Sequence, residues 1–190
     1  MLSKSALSVL GLFCSLTAFA AQETYTFDPA HTYPYFAINH LGFSTMYGRF
    51  NKTSGRLIVD KEAKLAALDL VIDAGSIDTG HQKRDEHLRS PDFFNVSEFP
   101  FITFKSLSAK FEGDVATSVD GELTLHGVTK PVTVAIEFMR CADHPMDKGK
   151  FVCGFGASAQ INRSDFGMKY GLPAIGDEVR LIFEVEAQRN

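Results

Sequence analysis

Apolar and polar residues alternate along most of this chain, and this period of two predicts β-strands with one face turned toward a core. The alternation is clearest at residues 68–73, 132–138 and 179–186. Weaker alternation predicts further strands at residues 25–28, 33–40, 46–51, 56–60, 100–106, 121–125 and 151–161. Turns separate the strands, and no internal repeat or low-complexity linker divides them. The pattern therefore predicts one all-β domain, folded as either a sandwich or a barrel of about eight strands.

One segment departs from this pattern, because residues 81–89 are mostly charged and have a single apolar side chain, Leu88. They are predicted to form a helix that Asp78 or Thr79 caps and that Pro91 ends. A helix this polar cannot be a core helix. It must lie across the outside or the rim of the sheet, held there by Leu88 and the phenylalanines that follow it.

The first residues have the form of an export signal. Lys4 precedes an apolar stretch, and the Ala-Phe-Ala sequence at residues 18–20 is typical of a signal-peptidase site. We therefore expect residues 1–20 to be a signal peptide and residues 21–190 to be the exported domain. The apolar stretch is too short to span a bilayer comfortably, so we expect a soluble periplasmic protein rather than an integral membrane protein.

The charge balance argues against one class of partner. The chain has 19 basic and 23 acidic residues, a formal net charge of −4, and no basic run. Nucleic-acid binding and electrostatic attraction to anionic membranes are therefore not expected. The sequence leaves open whether the chain forms a homodimer.

Two cysteines remain after the signal peptide, Cys141 and Cys153. An even pair in an exported protein predicts a disulfide, here between strands on either side of the turn-like residues 142–149. Alternation counted from Phe138 puts Cys141 on the outer face, whereas alternation counted from Phe155 puts Cys153 inside. A β-bulge near the turn would reconcile the two counts. The alternative is a pair of free thiols.

Recognisable catalytic and metal-binding motifs are absent from the sequence. The six histidines are scattered, without a His-x-His or His-Glu-x-x-His spacing, and no Gly-x-Ser-x-Gly occurs. We therefore predict no metal, no cofactor and no catalytic residue. His40 shares strand parity with Phe36 and Ile38, so it is either a hydrogen-bonded interior histidine or a polar group at a cavity mouth. An enzyme acting on a bound amphiphile through His31, His40 or Asp92 is the alternative.

Phenylalanine is abundant, with 17 residues against no tryptophan, and it offers a large apolar surface without a polar handle. Phenylalanine side chains most commonly fill a packed core. A few polar residues share the inward parity, however, and a mostly apolar interior with a few polar groups is typical of a small-molecule pocket. The spacing alone leaves a solid core and a cavity equally open.

Four motifs stand out in the exported domain. They are Asp-Pro-Ala-His at residues 28–31, Ser-Ile-Asp-Thr at 76–79, Arg-Asp-Glu-His-Leu-Arg-Ser-Pro-Asp-Phe-Phe at 84–94 and Gly-Glu-Leu-Thr-Leu-His-Gly-Val-Thr-Lys-Pro-Val at 121–132. Together they resemble the YceI-like family of exported, lipocalin-like proteins. The resemblance implies an eight-stranded antiparallel barrel, similar to a lipocalin, with one short helix between strands. It also implies a long internal channel for an isoprenoid chain, either a polyisoprenoid or an isoprenoid quinone.

The resemblance further implies which residues line that channel. The apolar candidates are Phe36, Ile38, Leu70, Ile72, Leu88, Phe93, Phe94, Phe101, Leu125, Val134 and Phe183. The candidates for polar contacts are His40 and Arg163. We therefore expect a periplasmic carrier or store for an isoprenoid lipid rather than an enzyme. A stress-response protein with a solid barrel core is the other alternative.

Overall fold

The computed structural model describes residues 22–60 and 64–190, so the predicted signal peptide at residues 1–20 lies outside the described residues. The strands are β1 (Glu23–Phe27), β2 (Tyr33–His40), β3 (Ser44–Phe50), β4 (Thr53–Asp60), β5 (Leu65–Asp73), β6 (Ile77–Asp78), β7 (Phe101–Glu112), β8 (Val115–Leu125), β9 (Val128–Asp143), β10 (Phe151–Asn162) and β11 (Ile175–Arg189). One α-helix, α1 (Gln82–Arg89), lies between β6 and β7, and short 3-10 helices cover Ala74–Ser76 and Arg163–Phe166. No helix in this part of the chain is long and apolar enough to cross a membrane.

Eight strands close into an antiparallel barrel, in the order β1, β4, β5, β7, β8, β9, β10 and β11, with β11 pairing back to β1. This confirms the predicted eight-stranded lipocalin-like barrel with one short helix, and it excludes the sandwich. The period of two leads to this fold because inward and outward side chains alternate along every strand of a barrel.

Strand β11 has 15 residues, and one of its edges pairs with two partners in succession. Residues 187–189 pair with β1, whereas residues 179–184 pair with β2. Strand β2 continues into a hairpin with β3, and β3 pairs with the short strand β6. These three strands therefore extend the barrel wall beyond β1.

The two ends of the barrel differ. One end, which we call the helix end, has α1, the β2–β3 turn and the connection from β10 to β11. The opposite end has the β4–β5, β7–β8 and β9–β10 turns. The helix and the long connection from β10 to β11 therefore lie at the same end of the barrel.

The helix begins one residue later than predicted, and its cap is a different residue. The ring Nδ1 of His81 accepts a backbone N–H of the first turn at 3.3 Å. The predicted caps, Asp78 and Thr79, lie too early because Gly80 adopts a left-handed conformation (φ 73°) and turns the chain before the helix starts. The cap prediction is therefore wrong, whereas the helix does end just before Pro91, as predicted.

Polar contacts hold the helix against the segment that precedes it. The backbone N–H and the hydroxyl of Thr79 both donate to the carboxylate of Asp85, which is buried. Arg89 donates to the carbonyls of Gly75 and Ile77 at 2.7 and 2.8 Å. The helix is thus attached to the barrel rim mainly through backbone groups of residues 75–79.

The predicted disulfide is present between Cys141 and Cys153, which are directly paired across β9 and β10. A β-bulge reconciles the two parity counts, because the register of β9 against β10 slips between Ile136 and Phe138. Beyond the bulge, Cys141 and the residues at alternate positions from it face inward. Phe138, which the alternation puts inside, is exposed as a result, and its inward prediction is wrong.

Replacing both cysteines with alanine should lower the free energy of unfolding by about 2–4 kcal/mol, because the disulfide restricts the unfolded chain. Urea unfolding of the oxidised wild type and of the Cys141→Ala/Cys153→Ala variant measures the difference. The reduced wild type is the matched control and should unfold like the variant. Equal stability of the oxidised wild type and the variant would contradict a stabilising role.

Candidate functional site

The inward side chains leave space at the helix end of the barrel. A cavity of about 310 Å³ lies there, a volume typical of small-molecule sites. Its wall comes from β2, β3, β5, β7, β8, β9, β10 and β11, together with α1 and the segments on either side of it. Most of these side chains are apolar, so the cavity suits an apolar ligand.

Twelve of the thirteen predicted channel residues line this cavity. They are Phe36, Ile38, His40, Leu70, Ile72, Leu88, Phe93, Phe94, Leu125, Val134, Arg163 and Phe183. They come from five strands, from the helix and from the segments after the helix and after β10. The fold therefore brings them to one space, and their contact with a ligand stays a prediction.

Phe101 is the exception, because its side chain is 57% exposed and does not line the cavity. Its neighbours Ile102 and Phe104 are buried and line the cavity. Successive residues of a strand face opposite sides of the sheet, so position 101 faces outward when positions 102 and 104 face inward. The prediction of Phe101 as a lining residue is wrong.

Several lining residues were not predicted. Leu123, Val132 and Leu181 each lie two positions before a predicted lining residue on the same strand. Extending the predicted set by the period of two would have found them. Met168 and Tyr170 also line the cavity, but they lie in the β10–β11 connection, where no alternation marks them.

One part of the wall depends on a glycine. The ring of Phe36 lies over Gly48, its partner across β2 and β3, and a methyl group at Gly48 would clash with that ring. Phe50 packs against Phe36 and Phe94, with 6.0 and 5.6 Å between the ring centroids. The glycine therefore makes room for the first ring of an aromatic wall that runs from β2 to the segment after α1.

Two tyrosines mark where the cavity meets solvent. Tyr47 and Tyr170 both line the cavity and are both exposed. His87 of α1 packs edge-on against Tyr170 and Phe93, with 5.1 Å between the ring centroids in each pair. The Nε2 atom of His87 lies 2.9 Å from the carboxylate of Asp92. The mouth of the cavity therefore has an aromatic edge formed by β3, α1 and the β10–β11 connection.

Arg163 lines the cavity, but its guanidinium donates hydrogen bonds to backbone carbonyls. The residue is 3% exposed, and it donates to the carbonyls of Met168, Ile175 and Gly176 at 2.9, 3.1 and 2.8 Å. Burial lowers the pKa of Arg163, and the carboxylate of Asp177 opposes that effect. Arg163 therefore fixes the β10–β11 connection at the edge of the cavity. A direct contact between Arg163 and a ligand stays a prediction.

Comparison with known proteins agrees with this architecture. The model of the YceI-like domain family matches residues 25–187. The UPF0312 protein of Pseudomonas aeruginosa is 41% identical over 179 residues, which cover 94% of this chain and 92% of that protein. The chain belongs to the YceI-like domain family. The resemblance of the sequence motifs is thereby confirmed.

Solved structures of other proteins are also similar to this YceI-like barrel. The YceI protein of Campylobacter jejuni is 30% identical, with a TM-score of 0.68 and coverage of 80% of this chain and 90% of that one. A polyisoprenoid binding domain from Saccharophagus degradans has a TM-score of 0.61 and covers 87% of this chain and 98% of its own. At 17% identity, that second similarity shows the fold alone.

The YceI-like barrel also has a smaller cavity, of about 140 Å³, toward the opposite end. The two cavities share four wall residues, which we call the waist: Leu70, Phe104, Val134 and Phe183. Apolar space therefore extends along the barrel in two chambers that meet at the waist.

One group of potential metal ligands occurs among the described residues, at Asp28, His31 and Glu186. The Nδ1 atom of His31 lies 2.8 Å from the carboxylate of Asp28 and 4.0 Å from that of Glu186. The hydrogen bond between His31 and Asp28 raises the pKa of His31 and lowers the pKa of Asp28. The contacts among these three side chains account for their proximity. Of the three residues in the enzyme alternative, His40 lines the first cavity, whereas His31 and Asp92 do not.

Replacing Gly48 with alanine should shrink the first cavity, because the new methyl group would push the ring of Phe36 into it. A bound probe would then have less room and fewer contacts, so we expect an apolar fluorescent probe such as N-phenyl-1-naphthylamine to bind about ten-fold more weakly, the equivalent of about 1.4 kcal/mol. Gly154→Ala is the matched control, because the nearest atom to its added methyl group lies at 4.0 Å. Unchanged probe affinity in the Gly48→Ala variant would contradict the role assigned to this glycine.

Proposed function

We propose that this protein binds an isoprenoid lipid, either a polyisoprenoid or an isoprenoid quinone, and carries or stores it in the periplasm. The observation that carries the proposal is the apolar space that extends along the barrel in two chambers. An isoprenoid chain is long, narrow and apolar, which is the shape that such a space accommodates. The Saccharophagus degradans domain, described as polyisoprenoid binding, has a similar fold and supports the same ligand class.

Binding would draw its free energy from the burial of apolar surface. Such burial contributes about 25 cal/mol per Å², or about 0.8 kcal/mol for each CH₂ group. The wall offers few polar partners, so affinity should grow with the length of chain that fits inside. One additional methylene discriminates only weakly between ligands. Selectivity should therefore depend on the volume of the two chambers and on the waist between them.

Two features support the periplasm as the compartment. The disulfide between Cys141 and Cys153 is of a kind that persists in oxidising compartments. Residues 1–20 have the form of an export signal. An isoprenoid chain is nearly insoluble in water, so a soluble carrier would serve a need in that aqueous compartment.

The cavity favours binding over the two alternatives. A stress-response protein with a solid core does not need an apolar space of about 310 Å³. Catalysis on a bound amphiphile would need reactive groups beside the ligand, and of His31, His40 and Asp92 only His40 lines the first cavity. The family is a binding-protein barrel rather than a known class of enzyme.

Protein produced with its own leader and purified from the periplasm should contain an isoprenoid lipid. Solvent extraction followed by mass spectrometry should detect it, and the delipidated protein should take up an added isoprenoid quinone. A periplasmic protein of unrelated fold, purified in the same way, is the control for lipid carried over from the membrane. Lipid-free protein that also fails to take up quinones and prenols would overturn the proposal.

The double variant Phe93→Ala/Phe94→Ala should lose bound isoprenoid more than it loses stability. Phe93 lies at the mouth, and Phe94 packs against Phe50 in the aromatic wall, so truncation removes surface on the ligand side of the barrel. We expect at least about ten-fold faster loss of bound quinone, the equivalent of about 1.4 kcal/mol. Gel filtration of the loaded protein measures retention, and thermal unfolding measures stability.

Phe166→Ala is the matched control for that experiment. Phe166 is buried but does not line the first cavity. Its truncation should cost about 3–5 kcal/mol of stability and leave quinone retention unchanged while the protein is folded. Retention in the Phe93→Ala/Phe94→Ala variant that equals the wild type would assign a purely structural role to the segment after α1.

A further inference from the structure

Two loops stand together beside the mouth of the first cavity. One is the β2–β3 turn, residues 41–43, and the other is residues 167–174 of the β10–β11 connection. The backbone N–H of Leu41 donates to the carbonyl of Ala174 at 3.0 Å and joins the two. The β2–β3 turn leads into the strand that contains Tyr47, and the second loop contains Tyr170. We call these segments the mouth loops.

The β2–β3 turn presents a phenylalanine to solvent. Phe43 is 90% exposed. Its backbone N–H donates to the carbonyl of His40 at 3.0 Å, and the backbone N–H of Gly42 donates to the side chain of Asn39 at 2.9 Å. Leu41 and Gly42 both have positive φ, so the turn is tight and holds the ring away from the barrel. Covering such a side chain fully would contribute about 1.5–3 kcal/mol.

Phe43 is part of a cluster rather than a lone exposed residue. Leu41, Tyr47 and Tyr170 are exposed beside the same mouth, and Pro173 is exposed in the second loop. Single apolar residues on a surface need no explanation, but a contiguous patch marks a site of interaction. The patch is continuous with the cavity, because both tyrosines also line it.

The mouth loops are also nearly free of charge. Residues 37–48 include no Lys, Arg, Asp or Glu, and residues 166–176 include only Lys169. Tyrosine is enriched at the membrane–water interface, and lysine can lay its apolar stem along such a surface while its amine stays in water. An apolar tip with tyrosines, one lysine and no carboxylate therefore suits a lipid surface better than a charged protein.

We propose that the mouth loops dock on a lipid bilayer, with Phe43 and Leu41 inserted among the lipids and Tyr47 and Tyr170 at the level of the headgroups. This inference rests on the proposed function, because an isoprenoid lipid that is not bound to protein resides in a membrane. In this orientation the mouth faces the bilayer, and the ligand passes between bilayer and barrel without crossing water. The contact is apolar, so it needs no anionic lipid despite the net charge of −4.

A second copy of the chain is a weaker candidate for the occupant. A stable interface of standard size buries about 800 Å² on each partner. The three aromatic side chains of the patch would bury about 150–250 Å² each from a fully exposed state, and both tyrosines and Leu41 are already partly covered. The patch is therefore too small for a standard interface, whereas insertion into lipid requires only a few apolar side chains.

Tryptophan fluorescence offers a direct test, because the chain has no tryptophan. Phe43→Trp puts a single fluorophore at the tip of the turn. Met146→Trp is the matched control, because Met146 is 88% exposed in the β9–β10 turn at the opposite end. Phosphatidylcholine vesicles should shift the emission of Phe43→Trp to shorter wavelength and leave that of Met146→Trp unchanged. No shift in the first variant, or an equal shift in both, would overturn the proposal.

Charged substitutions extend the test to transfer. Phe43→Asp should lower the partition into floated vesicles about ten-fold and slow the transfer of an isoprenoid quinone between vesicles by a similar factor. Met146→Asp should behave like the wild type in both measurements. Phe43 lines neither cavity, so the equilibrium binding of quinone without vesicles should be unchanged in both variants.

The outcomes separate this proposal from the proposed function. Flotation of Phe43→Asp equal to that of the wild type overturns docking. A dimer that Phe43→Asp abolishes, together with a wild type that does not float, makes the mouth loops a contact between copies and also overturns docking. Loss of flotation in Phe43→Asp, with a wild type that binds no isoprenoid quinone, supports docking and refutes the proposed ligand.

Discussion

The pairing of strand β11 is the contact on which the rest of the structure depends. One edge of this strand bonds β1 near its C-terminal end and β2 along its middle. Without the first pairing, the eight strands would be an open sheet with two unpaired edges. Without the second, β2 and β3 would have no wall to extend, and the larger chamber would lose Phe36 and Ile38. A single backbone ladder thus both closes the barrel and builds the wall of its wider part.

Polar side chains then fix the irregular segments that the ladder cannot reach. Asp85 accepts two hydrogen bonds from Thr79, Arg89 binds carbonyls before the helix, and Arg163 binds carbonyls of the β10–β11 connection. Backbone groups in such segments have no strand partner and would be costly to bury unpaired. An arginine can satisfy several carbonyls at once, because its guanidinium has five donors. The mouth can therefore be irregular in backbone and still be held in one arrangement.

The local alternation of apolar and polar residues predicted the strand faces and the fold class. It failed where pairing with a distant strand decides which face a side chain takes. Phe138 faces outward because of a bulge in the pairing with β10, which the sequence of β9 alone does not locate. Phe101 was assigned to the lining by the family resemblance, whereas the alternation with the buried residues Ile102 and Phe104 puts it on the outer face. The helix cap was mispredicted because the left-handed turn at Gly80 delays the start of the helix. The resemblance to the family predicted Arg163 as a site residue. It did not predict that the guanidinium of Arg163 donates hydrogen bonds to three backbone carbonyls.

The closed barrel and the waist shared by its two chambers would together constrain the order of events for any long guest. The eight-stranded ladder around the smaller chamber has no lateral gap, so a chain must enter that chamber along the barrel axis rather than from the side. A long guest that entered at the tyrosines and filled both chambers would pass Phe104 and Phe183 with its slender end first and leave a bulky end at the tyrosines. The barrel would therefore orient its cargo as well as shield it, presenting one chemical end outward to whatever receives it. Unloading would retrace the same path in reverse, with the trailing group leaving first.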